Sequence, residues 1–215
     1  MTLTDIVRTS SKNFELLASD LDLSLIQDEI EAQESLLDKS TFRQSFKESP
    51  FKDTQFIGCR MTYDLDHEPT EEELIEHLKT KGVINTNAVE LEDYYLLPQV
   101  YEAVMRLAGA LRAEQVGRVL VTRLFPNGHI GAHKDFGEYH NFYDRFHICI
   151  GGKGCHFRSG KETVKMMPGE VWWFYNNLEH EVWNESDSNR DHIVVDLKLR
   201  GDKMAIRESI EGAEL

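Results

Sequence analysis

The stretches Ile130–Ile150, IGAHKDFGEYHNFYDRFHICI, and Met167–Leu197, MPGEVWWFYNNLEHEVWNESDSNRDHIVVDL, decide how this 215-residue chain is read. Both are short β-branched and aromatic runs broken by turn residues. The same texture extends through Arg118–Phe125, Arg145–Gly151, Glu162–Met166, Val171–Tyr175, His180–Glu185 and His192–Leu199. Between these runs stand Pro126-Asn127-Gly128, Gly151-Gly152, Ser159-Gly160, Pro168-Gly169 and Asn176-Asn177. Many short strands with such punctuation predict two packed antiparallel sheets. The expected fold is mainly β with flanking α-helices, around a double-stranded β-helix (jelly-roll, cupin-like) core.

Upstream the patterning changes. In Asp22–Lys39, Leu25/Ile26, Ile30 and Leu36/Leu37 recur near a helical period, with Glu29, Glu31 and Glu34 mostly on the wet side. This predicts a surface helix packed on the sheet; a protein-docking helix is the sharper, less favoured reading. Gln55–Tyr63 has strand composition. Thr70-Glu71-Glu72-Glu73 after Pro69 is a capping-box pattern that predicts a further helix. Pro98 starts another, with Val100, Val104, Leu107, Ala108 and Leu111 on one face. The expected organisation is a polar and helical segment over 1–54 with a loose lead-in at 1–20, a strand with supporting helices over 55–116, a catalytic core over 117–200, and a tail over 201–215.

Charge narrows the function classes. The net charge of −14 is concentrated upstream, residues 1–100 holding 21 acids against 9 Lys/Arg. No basic stripe is visible, which argues against a nucleic-acid partner, since phosphate binding runs on clustered Lys/Arg. There is neither a secretory leader pattern nor an apolar run of membrane-spanning length, and Cys59, Cys149 and Cys155 have no repeated spacing. Reduced thiols in a cytoplasmic protein are the expectation.

Seven of nine histidines (129, 133, 140, 147, 156, 180 and 192) fall in one 64-residue window. His133-Lys134-Asp135 sits at a strand end, where residues i and i+2 project to the same side and can reach one ion. His180 opens a later strand and can return to the same end of the sandwich. Two imidazoles and a carboxylate can occupy one face of an octahedral ferrous ion, leaving open positions for a co-substrate and dioxygen. Arg190, ten residues beyond His180, can clamp the far carboxylate of 2-oxoglutarate by a bidentate pair. Arg145 and His147 alternate with Phe146 and Ile148, so both point inward, where a charged or donor group needs a partner. His147 then suits the metal-side carboxylate of the co-substrate, and Arg145 an acidic group of the substrate or a structural ion pair. Arg123 raises the same question as a substrate contact. Trp172, Trp173, Tyr175 and Trp183 read as core or pocket wall.

At these residues the sequence resembles the aspartyl/asparaginyl β-hydroxylase family, whose bacterial relatives include free-proline hydroxylases. The similar stretch runs from about Arg118 to Leu199 and covers RVLVTRL, IGAHKD, RFHICI, PGEVWWF, HEVWNES and RDHIVVDL in order. The resemblance implies a jelly roll using Fe(II), 2-oxoglutarate and O2, with succinate and CO2 as products. It implies His133, Asp135 and His180 as iron ligands, Arg190 and His147 as 2-oxoglutarate contacts, and Arg145 as a substrate or co-substrate contact. Members acting on epidermal-growth-factor-like domains lack an acid at the Asp135 position, so this chain looks more like the small bacterial branch. The expected reaction is hydroxylation of an unactivated C–H bond in an amino acid, free or within a peptide. The competing readings are a cupin-like metalloenzyme that does not use 2-oxoglutarate, a nucleobase oxygenase, and a non-catalytic jelly-roll binding module.

Overall fold

A computed structural model of the chain describes residues 13–39, 44, 49–62, 86–135 and 137–201. From Ala113 to Leu199 the chain alternates between two sheets. The strands are β1 (Phe14–Ala18), β2 (Thr54–Met61), β3 (Val89–Glu90), β4 (Ala113–Leu124), β5 (His129–His133), β6 (Asp144–Cys149), β7 (Cys155–Ser159), β8 (Glu162–Met166), β9 (Val171–Phe174), β10 (His180–Trp183) and β11 (Arg190–Leu199). One sheet has the order β1-β9-β6-β11-β4-β2-β3 and the other β5-β10-β7-β8. Every pairing is antiparallel. This is the double-stranded β-helix expected from the sequence.

Strand alternation sorts the side chains of the large sheet into two layers. Val119, Val121, Phe146, Ile148, Trp173, Ile193 and Val195 join the core beneath the helices α1 (Ser24–Ala32) and α2 (Pro98–Ala110). Leu124, Cys149, Trp172 and Phe174 face the small sheet and meet Ile130, Phe157 and Val182. The helices therefore buttress one face, and the space between the sheets holds a second core with polar groups at one end.

Several elements differ from expectation. The supposed lead-in contains β1, whose Phe14 is fully buried and packs against Phe157, Trp172 and Phe174. Five residues give too short a periodic signal; the strand is specified by its register on β9. The helix expected over 22–39 ends at Ala32 and resumes as a 3-10 turn, Glu34–Asp38. β4 begins at Ala113, five residues earlier than its apolar run. β7 lies in a glycine-rich stretch that gave no strand signal, and a short helix that the sequence did not announce, α3 (Glu138–Phe142), precedes β6. The helix expected at Thr70–Leu78 and the tail after Gly201 lie outside the described residues. All three cysteines are buried and free. Among the described residues no helix is long and apolar enough to cross a membrane.

Candidate metal centre

His133 ends β5 and His180 begins β10, and the two face each other directly across the antiparallel register. Their ring centroids lie 4.2 Å apart. Asp135 follows two residues past His133, and one ligand atom from each of the three residues falls within 4.8 Å of the others. Nδ1 of His133 lies 2.7 Å from the Gly131 carbonyl oxygen, and Nδ1 of His180 lies 2.9 Å from that of Leu178. A carbonyl can only accept, so each Nδ1 carries a proton, and in the neutral ring Nε2 then keeps the lone pair that a metal requires. Burial pushes His180 down to about 4, so its imidazole is neutral near pH 7.

Asp135 is held ionised. Burial opposes its charge, but the Arg145 guanidinium and the imidazoles of His140, His180 and His133 outweigh that and hold the carboxyl well below the usual range. Arg145 donates from Nη1 to Oδ2 of Asp135 at 2.6 Å, leaving Oδ1 for an ion. Arg145 also donates from Nε and Nη2 to the two oxygens of Asp196, at 2.7 and 2.9 Å. The Tyr139 hydroxyl donates to Asp196 Oδ2 at 3.0 Å. Of the two uses foreseen for Arg145, the geometry contains the ion pair.

Arg190 opens β11 and is 1% exposed, yet its Nε and Nη2 make no hydrogen bond. An unpaired buried guanidinium costs several kcal/mol, so this arrangement calls for an anion. His147 lies on the neighbouring strand, facing the same space. Its Nδ1 is 3.1 Å from Nδ1 of His192, and burial drives both imidazoles far below their ordinary range. Two neutral rings joined at Nδ1 must differ in tautomer, one donating and one accepting. With His192 as donor, His147 presents Nε2–H to the cavity.

His133, Asp135, Arg145, His147, His180 and Arg190 line one cavity of about 310 Å³, together with Arg118, Leu120, Thr122, Lys134, Phe51 and Phe56. Its charged lining and apolar walls suit a small polar ligand. Arg123 is not brought there. It shares the helix-side face of β4 with Val121 and is paired with Asp191 at 2.8 Å and Glu34 at 2.5 Å. The expectation of a substrate contact is corrected by strand parity: Thr122 and Leu124 point inward, so Arg123 points out.

The family model for aspartyl/asparaginyl beta-hydroxylase matches residues 24–199, most of the chain. The chain belongs to the aspartyl/asparaginyl β-hydroxylase family. It is therefore placed among oxygenases, and its His-Asp-His cluster fits a metal-dependent member. No curated protein matches it by sequence. Among solved structures, YcfD, a ribosomal oxygenase from Escherichia coli, shares 23% identity over 51% of this chain and 29% of that chain, with a TM-score of 0.36. A cupin domain from Bordetella pertussis shares 20% identity over 40% of this chain and 84% of that chain, with a TM-score of 0.32. A Cupin 2 conserved barrel domain protein from Salinispora arenicola shares 14% over 45% and 71%, with a TM-score of 0.31.

Four residues of this hydroxylase-family chain stand in the site without having been singled out from the sequence: Arg118, Tyr139, His192 and Asp196. Parity could have found two of them, because Arg190, His192 and Asp196 share the inward face of β11. For Tyr139 the sequence carries no signal.

Proposed function

We propose that the protein is an Fe(II)- and 2-oxoglutarate-dependent dioxygenase that hydroxylates an unactivated C–H bond of an amino acid, free or within a peptide. The observation that carries this reading is Arg190. A triad alone suits many metalloenzymes; a buried, unpaired guanidinium sharing the triad's cavity asks for an anion bound beside the metal. The residues fit a ferrous ion, offering two imidazole nitrogens and one ionised carboxylate oxygen. When bound, iron with 2-oxoglutarate would supply reductive activation of dioxygen, coupled to oxidative decarboxylation of 2-oxoglutarate to succinate and CO2.

The chain's own residues have separable tasks. His133, Asp135 and His180 hold the ion, and their partners Gly131, Arg145 and Leu178 fix the geometry. Arg190 pairs with the distal carboxylate of the co-substrate. His147, oriented by His192, donates to the carboxylate beside the metal. Phe51, Phe56, Phe157 and Phe174 wall the cavity and limit water around the reacting carbon. A cupin-like enzyme that ignores 2-oxoglutarate would have no use for Arg190.

The test is an anaerobic titration of Fe(II)-loaded protein with 2-oxoglutarate, following the visible metal-to-ligand charge-transfer band. The band is expected in wild type and not in Arg190→Ala at the same co-substrate concentration. Iron bound with no band in wild type would sink the proposal.

A further inference from the structure

Arg118 lies on the inward face of β4 and lines the cavity with the triad. Its guanidinium carbon sits 3.9 Å from the centroid of the Tyr139 ring. The ring is a fixed platform, since the Tyr139 hydroxyl donates to Asp196 and accepts from the Arg118 backbone N–H at 2.7 Å. One face of the guanidinium is thus covered by the ring, while its Nε is buried without a hydrogen-bond partner. Stacking leaves the donor edge of an arginine free for a planar anion.

The charge balance of the cavity points the same way. Among the described residues four cations line it, Arg118, Lys134, Arg145 and Arg190, against the single acid Asp135. Asp196, behind Arg145, brings the acids to two. A divalent ion and doubly charged 2-oxoglutarate would cancel each other, so an excess of two positive charges remains. This is unusual in a chain of net charge −14. The co-substrate cannot supply the missing anion. Arg190 pairs in register with Leu124, six residues along β4 from Arg118, roughly 20 Å of backbone at a rise of about 3.3 Å per residue. With one carboxylate at Arg190 and the other at the metal, 2-oxoglutarate has none left for Arg118.

We infer that Arg118 is a specificity-determining residue that binds a carboxylate of the substrate, at the end of the cavity away from Arg190. This rests on the co-substrate reading above. It moves the substrate-reading role from Arg145, which is already committed to Asp135 and Asp196, to a residue with donor capacity unused. The substrate class is a carboxylic acid, and exposed Lys134 adds positive charge to the cavity lining.

The test uses the full chain loaded with Mn(II) and saturated with 2-oxoglutarate, with trifluoroacetate as the carboxylate probe in 19F NMR. Mn(II) broadens the signal of probe held in the same cavity. Saturable broadening is expected in wild type, with affinity at least about tenfold weaker in Arg118→Gln, partly restored in Arg118→Lys and unchanged in a variant of exposed Lys161, in the β7–β8 turn outside the cavity lining, Lys161→Gln; tenfold corresponds to about 1.4 kcal/mol. Equal affinity in wild type and Arg118→Gln overturns the inference, as does the absence of saturable broadening in wild type. Should Arg118→Gln not fold, wild type titrated with neutral trifluoroacetamide decides: weaker broadening than by trifluoroacetate supports the site, and equal broadening overturns it. Mn(II) EPR of the same samples records 2-oxoglutarate binding. Failure there sinks the co-substrate reading, whereas failure of the probe with co-substrate bound sinks only the role of Arg118.

Discussion

Asp135 reaches its position through a relay of charges. Its carboxylate is gripped by Arg145, Arg145 is gripped bidentately by Asp196, and Asp196 takes a further hydrogen bond from Tyr139. Removing the charge of Asp196 would leave Arg145 free to rotate and to bind Asp135 through both oxygens, blunting it as a ligand. Partners of this outer kind are typically worth about 10–100-fold in metal affinity. Asp196→Asn is therefore expected to weaken Co(II) binding by about that range, measured by competition with a chromophoric chelator. Unchanged affinity would show that Asp135 is oriented without the relay. His192 acts on the other side of the site. Replacing it by Phe leaves Nδ1 of His147 buried without its partner, a loss of about 1–3 kcal/mol. 2-Oxoglutarate affinity, read from the charge-transfer band, should fall by about tenfold or more in His192→Phe while iron affinity stays as it was. An equal fall in both would mean that His192 supports the whole centre and not the tautomer of His147.

Glu29 shows how one side chain can join two elements. It stands on α1, and its carboxylate accepts from the backbone N–H groups of Gln99 and Val100 at 2.8 to 3.1 Å. Those donors belong to the first turn of α2, where Pro98 is well placed and no local side chain caps the end. An acid at a helix N-terminus satisfies orphan donors and complements the dipole. Glu29→Ala is expected to lower stability by about 1–2 kcal/mol in urea denaturation and Glu29→Lys by at least as much; unchanged stability in both would show that Glu29 does not cap α2. The sequence pattern puts Glu29 on the wet face, because periodicity sees its own helix and not a partner 70 residues away. The same limit explains the other misses. The strands β4, β6, β9, β10 and β11 were legible because dense β-branched and aromatic runs declare themselves locally. β1 and β7 draw their identity from neighbours in the sheet. Likewise the triad was legible as residue types at strand ends and Asp196 was within reach of strand parity, whereas Arg118 and Tyr139 belong to the site only through register and a short helix that composition does not signal.

Across the whole molecule, the polar end of the sandwich makes stability depend on pH. His140 and His180 are pushed down to about 4, mainly by burial, and burial drives His147 and His192 well below their usual range. In the unfolded chain these imidazoles titrate near about 6.5. Between that value and about 4 the unfolded state therefore holds more protons than the folded state, and stability rises with pH through this window. Each histidine kept neutral contributes up to about 1.4 kcal/mol per pH unit there. Asp135 and Asp196 act further down. Their folded carboxyls titrate below the usual range despite burial, so their contribution is present above the unfolded carboxylate range near about 3.9 and is lost as pH falls below it. The two sets reinforce each other and place the onset of acid destabilisation in the histidine window. Metal-free protein is expected to show urea midpoints climbing from pH 5 to pH 7, with a shallower climb in His192→Phe, which removes one of the four imidazoles. A flat profile over that range would mean that the folded state takes up protons at these imidazoles as readily as the unfolded chain. Water would then reach the space between the sheets, and Arg190 would no longer require an anion to complete its surroundings.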